Sequence, residues 1–233
     1  MPGFGALPDV ESIRIYEYGR LPKRTLKAGA AAATEFALPA ERMPRLLDQG
    51  EIGACVAFAM VEVLEVLHYI ETGQRVALSP GFLYGHHRDE KDDSWGMVAS
   101  DAIDRLRQLG SVPETIFREY AEMPEMQRLV RERPDLPEFA LPYRIRSYVS
   151  FQVDDKEQLW AEAKEALLSY ELPLIAISHH YFGESHAICV YGFEEDRQGR
   201  RLKFQNSWAL LMGTLAKEPS PLQRLMGYIC CWM

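Results

Sequence analysis

The sequence predicts an α+β fold with a helical first half and a strand-rich second half. Two observations carry this reading. Between about residues 45 and 135 the apolar positions recur at helical spacing, whereas from about 140 to 233 short apolar runs of strand length alternate with polar breaks. The proline-rich stretch Pro134-Asp135-Leu136-Pro137-Glu138 reads as the connection between the two regimes. Helices first and strands second give an α+β order, with a cleft expected between the halves. Residues 1–35 stand apart as an N-terminal extension and linker, leaving 36–233 as the folded domain.

Each element has its own signal. Ile13-Arg14-Ile15-Tyr16-Glu17-Tyr18 alternates as a short strand does, and Ala28-Gly29-Ala30-Ala31-Ala32-Ala33 reads as linker. From Cys55 to about Glu71 almost every residue is apolar or small, apart from Glu62, Glu65 and His68, which predicts a helix buried on most faces. Ser79 and Pro80 form a helix start, with serine at the N-cap and proline at the first helical position. Ile103, Leu106 and Leu109 share one face of a further helix over Asp101 to Leu109, closed by Gly110. Strands are expected at Tyr143 to Ser150, Pro173 to Ser178, His186 to Phe193, Arg201 to Gln205 and Tyr228 to Met233, interrupted by one helix from Lys156 to Leu168. The acidic runs Asp89-Glu90-Lys91-Asp92-Asp93 and Glu194-Glu195-Asp196 read as solvated loops.

Composition narrows the class of function. A chain of 233 residues that is 47% hydrophobic can bury a substantial core. Its formal charge of −8 argues against a nucleic-acid partner, which selects for basic faces. Cys55, Cys189, Cys230 and Cys231 do not form the spacing of a secreted disulfide framework, and neighbouring Cys230 and Cys231 in a strand would point to opposite faces. Neither a leader peptide nor a membrane span is visible. The expectation is a soluble cytoplasmic protein with no membrane partner, export by a non-Sec route and the oligomeric state being left open. His86-His87, His179-His180 and the cysteines lack the tight spacing of a zinc site, so no metal and no other cofactor is expected.

The chemistry concentrates in three segments. In Gln49-Gly50-Glu51-Ile52-Gly53-Ala54-Cys55, small residues deliver a cysteine to the first turn of an apolar helix, where the helix N-terminus favours a thiolate. His186 opens the apolar run Ala187-Ile188-Cys189-Val190-Tyr191-Gly192, with His179 and His180 as competing histidines upstream. Asn206-Ser207-Trp208 follows. Histidine and asparagine lie 131 and 151 residues beyond the cysteine. This order and spacing resembles the papain-like cysteine peptidases, in which histidine and asparagine follow the cysteine by roughly 130–150 residues. The chain departs from that pattern in carrying Ile52 in place of a disulfide cysteine, Val56 in place of an aromatic residue, Ala209 in place of a glycine, and only Trp95-Gly96 in place of a glycine pair.

The resemblance implies a two-lobed fold with a barrel-like second half, and a peptidase acting on peptide or protein substrates. By the same resemblance, Cys55 is the nucleophile, His186 the base, Asn206 the group that orients it and Gln49 an oxyanion donor. Trp208 would screen the histidine–asparagine bond, and Gly96, Met97, Val98 and Ala187 would line a substrate subsite. Two other functions use the same residues: acyl transfer or deamidation, and peptide binding without catalysis. The extension before Phe36 is too short for the family's helical prodomain. It is expected either to lie across the cleft or to add an edge strand to the second half.

Overall fold

The computed structural model describes residues 6–7, 32–86, 96–152, 155–181, 184–208 and 225–231. Its first half is built around α1 (Cys55–Thr72), whose residues from Cys55 to Leu67 are all buried. Gly73 ends it in the left-handed conformation, φ 70°, with its N–H on the Tyr69 carbonyl. Around α1 pack α2 (Pro80–Gly85), α3 (Ala99–Gln108), α4 (Met123–Arg131) and α5 (Leu136–Ala140). Ser79 caps α2 as its sequence implies, its hydroxyl accepting from Phe82 N at 3.1 Å. Gly110 follows α3 with φ 85°, and its N–H reaches back to Leu106 O at 3.1 Å.

The stretch read as a bare connection is in part helical. Leu136–Ala140 forms α5, because Pro137 falls in the first turn, where a missing N–H leaves no intrahelical bond unmade. Tyr143, expected to begin a strand, instead ends a 3-10 turn.

The second half is a six-stranded sheet comprising β2 (Glu35–Ala37), β4 (Ser147–Gln152), β5 (Leu174–Tyr181), β6 (Glu184–Asp196), β7 (Gly199–Gln205) and β8 (Leu225–Cys231). Its order is β2-β6-β5-β8-β4, with β7 on the other edge of β6, and every pairing is antiparallel. The sheet stays open where a barrel-like second half was expected. Alternation along the strands sorts the core into two layers. Ile175, Ile177, Ala187 and Cys189 join the core around α1, whereas Leu174, Ala176, Ile188 and Val190 pack with α6 (Lys156–Tyr170). Phe193 anchors the second layer between Trp160 and Phe36, worth roughly 2 kcal/mol for a ring removed from water.

Glu194-Glu195-Asp196, expected to be a loop, is the end of β6. Its charges are met across the hairpin by Arg200 and Arg201, so cross-strand pairing stabilises an extended backbone there. Two further pieces come from the N-terminal side. β2 adds an edge strand to β6, and β1 (Ala6–Leu7) pairs in parallel with β3 (Met97–Val98), matching Ala6 with Met97 and Leu7 with Val98. β1 also touches β6, so it reaches both halves. The stretch Ile13 to Tyr18 and the acidic run Asp89 to Asp93 lie outside the described residues. Among the described residues no helix is long and apolar enough to cross a membrane.

Candidate active site

The cysteine loop is held by its own backbone. Gln49 Nε2 donates to Ile52 O at 2.7 Å, and Ala54 N donates to the same carbonyl at 2.8 Å. This tight turn ends where α1 begins, so Cys55 is the first helical residue, fully buried. Cys55 therefore sits in the positive field of the helix N-terminus, which lowers the cost of ionising a thiol. Tyr84 and Tyr120 border it, and burial, reinforced by the negative charge a Cys55 thiolate would carry, pushes both phenols well above their ordinary value. Both remain neutral hydroxyls.

His186 and Asn206 meet at the end of the sheet. His186 Nε2 lies 2.9 Å from Asn206 Oδ1, and both residues are buried. Since Oδ1 is an acceptor, Nε2 carries the proton and Nδ1 is the ring nitrogen able to take one. Trp208 stacks on the imidazole with ring centroids 4.4 Å apart and an interplanar angle of 25°. This indole covers the pair from solvent. Burial lowers the His186 pKa to about 4, although its bond to Asn206 works in the opposite direction.

Gln49 joins the cysteine loop to the asparagine segment. Its backbone N–H donates to Ser207 O at 2.8 Å, and the Ser207 hydroxyl donates to Gln49 Oε1. Tyr120 donates to Gln49 O at 3.0 Å from the other side. The Gln49 amide is thus fixed in orientation, its Nε2 bonded to Ile52 O. Among the expected site residues, Gln49, His186, Asn206 and Trp208 are interconnected through the Asn206-Ser207-Trp208 segment, and the Gln49 turn leads directly into Cys55. Gly96, Met97, Val98 and Ala187 are all buried, with Met97 and Val98 forming β3 beneath β1. Two supporting residues escaped the sequence reading. Ser207 was in view only as part of a triplet, and Tyr120 has no local signal, being 71 residues from its partner.

With this geometry established, the fold is that of the papain-like cysteine proteases. Xylellain, a cysteine protease from Xylella fastidiosa, matches with a TM-score of 0.67 at 20% identity, over 100% of this chain and 97% of that one. The bromelain protease from Ananas comosus, in complex with the E64 inhibitor, matches with a TM-score of 0.62 at 13% identity, over 86% and 100% of the two chains. A procathepsin L2 proteinase from the larval midgut of Tenebrio molitor gives 0.61 at 14% identity, over 85% and 68%. No protein-family profile matches the sequence, and neither does any curated protein.

Proposed function

We propose that the protein is a cysteine-type endopeptidase that hydrolyses peptide bonds through an acyl-enzyme on Cys55. The observation that carries this reading is the His186 to Asn206 bond under Trp208, on a segment tied through Gln49 to the turn that starts the Cys55 helix. His186 Nδ1 takes the thiol proton. The sulfur then attacks the carbonyl carbon of the substrate, and the resulting oxyanion is met by the Cys55 backbone N–H and the Gln49 amide. His186 returns the proton to the leaving amine. Water, deprotonated by the same imidazole, attacks the acyl-enzyme and frees Cys55. Asn206 keeps Nε2 protonated throughout, which leaves Nδ1 in the transferring role. The peptidase domain of this reading is residues 36–233.

The test is hydrolysis of an unstructured protein such as casein by the wild-type chain and by Cys55→Ala. Loss of at least about 10³-fold in the alanine variant is expected, because the covalent route disappears with the nucleophile. Retained hydrolysis would remove Cys55 from the chemistry. Including a primary amine in the assay separates hydrolysis from acyl transfer, since both pass through the same acyl-enzyme and differ only in the acceptor.

A further inference from the structure

Behind the proposed site lies a second polar cluster that no step of this mechanism uses. Glu62 stands two turns beyond Cys55 on α1, 1% exposed, in a buried stretch that is apolar apart from it and Glu65. Gln205 Nε2 donates to Glu62 Oε1 at 3.2 Å and to the carbonyl oxygen of Arg45. Burial, together with the neighbouring Glu62 carboxyl, pushes the Cys189 thiol well above its ordinary value. Cys189 and Gln205 are directly opposed across β6 and β7, so the strand register delivers both to α1 together. Each is also a chain neighbour of the site. Cys189 lies three residues beyond His186, and Gln205 immediately precedes Asn206.

Resting on the reading that Cys55, His186 and Asn206 act together, we propose that Glu62 is a positioning residue for that trio. Its carboxyl ties the strand ends carrying His186 and Asn206 to the helix carrying Cys55, and so sets the thiol-to-imidazole spacing. Apolar packing between a helix and a sheet tolerates small slides, whereas hydrogen bonds at fixed length do not. That difference matters at a reacting centre, where misplacement by about 1 Å costs on the order of 10²-fold in rate. Burial, reinforced by nearby Glu65, holds Glu62 well above the usual carboxylate range, and Arg45 is already shared by Glu65 at 3.0 Å and Glu114 at 2.8 Å. A dry interior favours the neutral form of such a carboxyl, because the charged form would need a cation of its own.

The experiment is the pH profile of Cys55 alkylation by iodoacetamide on the full chain, followed at that residue by mass spectrometry, with Cys55→Ala as the blank. In the wild type the profile should rise well below the ordinary thiol range of about 8.5. Glu62→Met fills a similar volume without hydrogen bonds. It should move the rise toward that ordinary range and slow alkylation at pH 6 by about 10-fold or more. Glu62→Gln keeps a neutral hydrogen-bonding group and should restore the wild-type profile. A Glu62→Met protein that melts earlier yet alkylates as the wild type does would reduce Glu62 to a structural role and overturn the proposal. Should that variant not fold, Gln205→Met removes the same tie from the strand side and is judged by the same profile. A wild-type Cys55 that alkylates like an ordinary thiol would sink the peptidase reading itself, and the positioning role with it; an altered profile confined to the variants supports both.

Discussion

Buried and pushed down to about 4, His186 cannot hold a charge at neutral pH unless an anion stands beside it. In the proposed reading the Cys55 thiolate is that anion, so the two ionise as a pair and neither titrates alone. His186→Ala should accordingly return Cys55 to an ordinary thiol, with hydrolysis falling nearly as far as in Cys55→Ala. Asn206→Ala should fall less, by roughly 10–100-fold, since it removes the ring's orientation and leaves the proton carrier in place. Parallel casein assays on the three variants give the order, and an Asn206→Ala protein as inactive as His186→Ala would contradict it. A second prediction concerns Glu62. A carboxyl raised in the folded state contributes stability that is complete below the unfolded value of 4.5 and is lost as pH climbs toward the folded value. Glu62→Gln escapes that loss. The melting temperature of Glu62→Gln minus that of the wild type should therefore grow as pH rises above 4.5; a constant difference would mean that Glu62 is charged in the native protein. That Cys55 opens a helix and that His186 and Asn206 come within hydrogen-bond reach was legible in the sequence, because each sits in a local motif. Glu62 and Gln205 were not, for they are 143 residues apart and nothing in either neighbourhood announces the other.

Local signals served well for elements with caps or long periods. Ser79 and Pro80 marked the start of α2, and the uninterrupted apolar run marked α1. Elements of two to five residues were invisible, because α5, β1 and β3 span little more than a single helical or strand period and exist through their tertiary neighbours. The acidic tail of β6 misled for a related reason, since its arginine partners sit on the next strand. Gly110 shows how firmly such neighbours constrain a single position. With φ 85°, it ends α3 where an added Cβ would meet Ala140 O at 2.2 Å, the last residue of α5. Gly110→Ala should cost about 1–3 kcal/mol, from left-handed strain together with the clash. Urea unfolding of the two proteins measures this, and a change below about 0.5 kcal/mol would mean that α5 moves aside freely.

At the scale of the whole molecule, two short strands near the N-terminus pack against different parts of the fold. Glu35–Ala37 extends the sheet as β2, while Ala6–Leu7 lies against Met97 and Val98, the residues assigned by resemblance to a substrate subsite. Deleting residues 1–30 keeps β2 and removes β1. If β1 competes with substrate, kcat/KM on casein should rise by several-fold or more; a lower melting temperature with an unchanged rate would leave β1 with a packing role only. A ladder of two residues is far too short to hold by itself in water. What keeps it in place is the covalent chain, which presents Ala6 and Leu7 to β3 at an effective concentration in the millimolar range regardless of how dilute the protein is. If the chain between the two strands were cut, that contact would become an encounter between separate molecules. Linkage along the chain, more than the two-residue ladder, would then set how fully β3 is covered at micromolar protein.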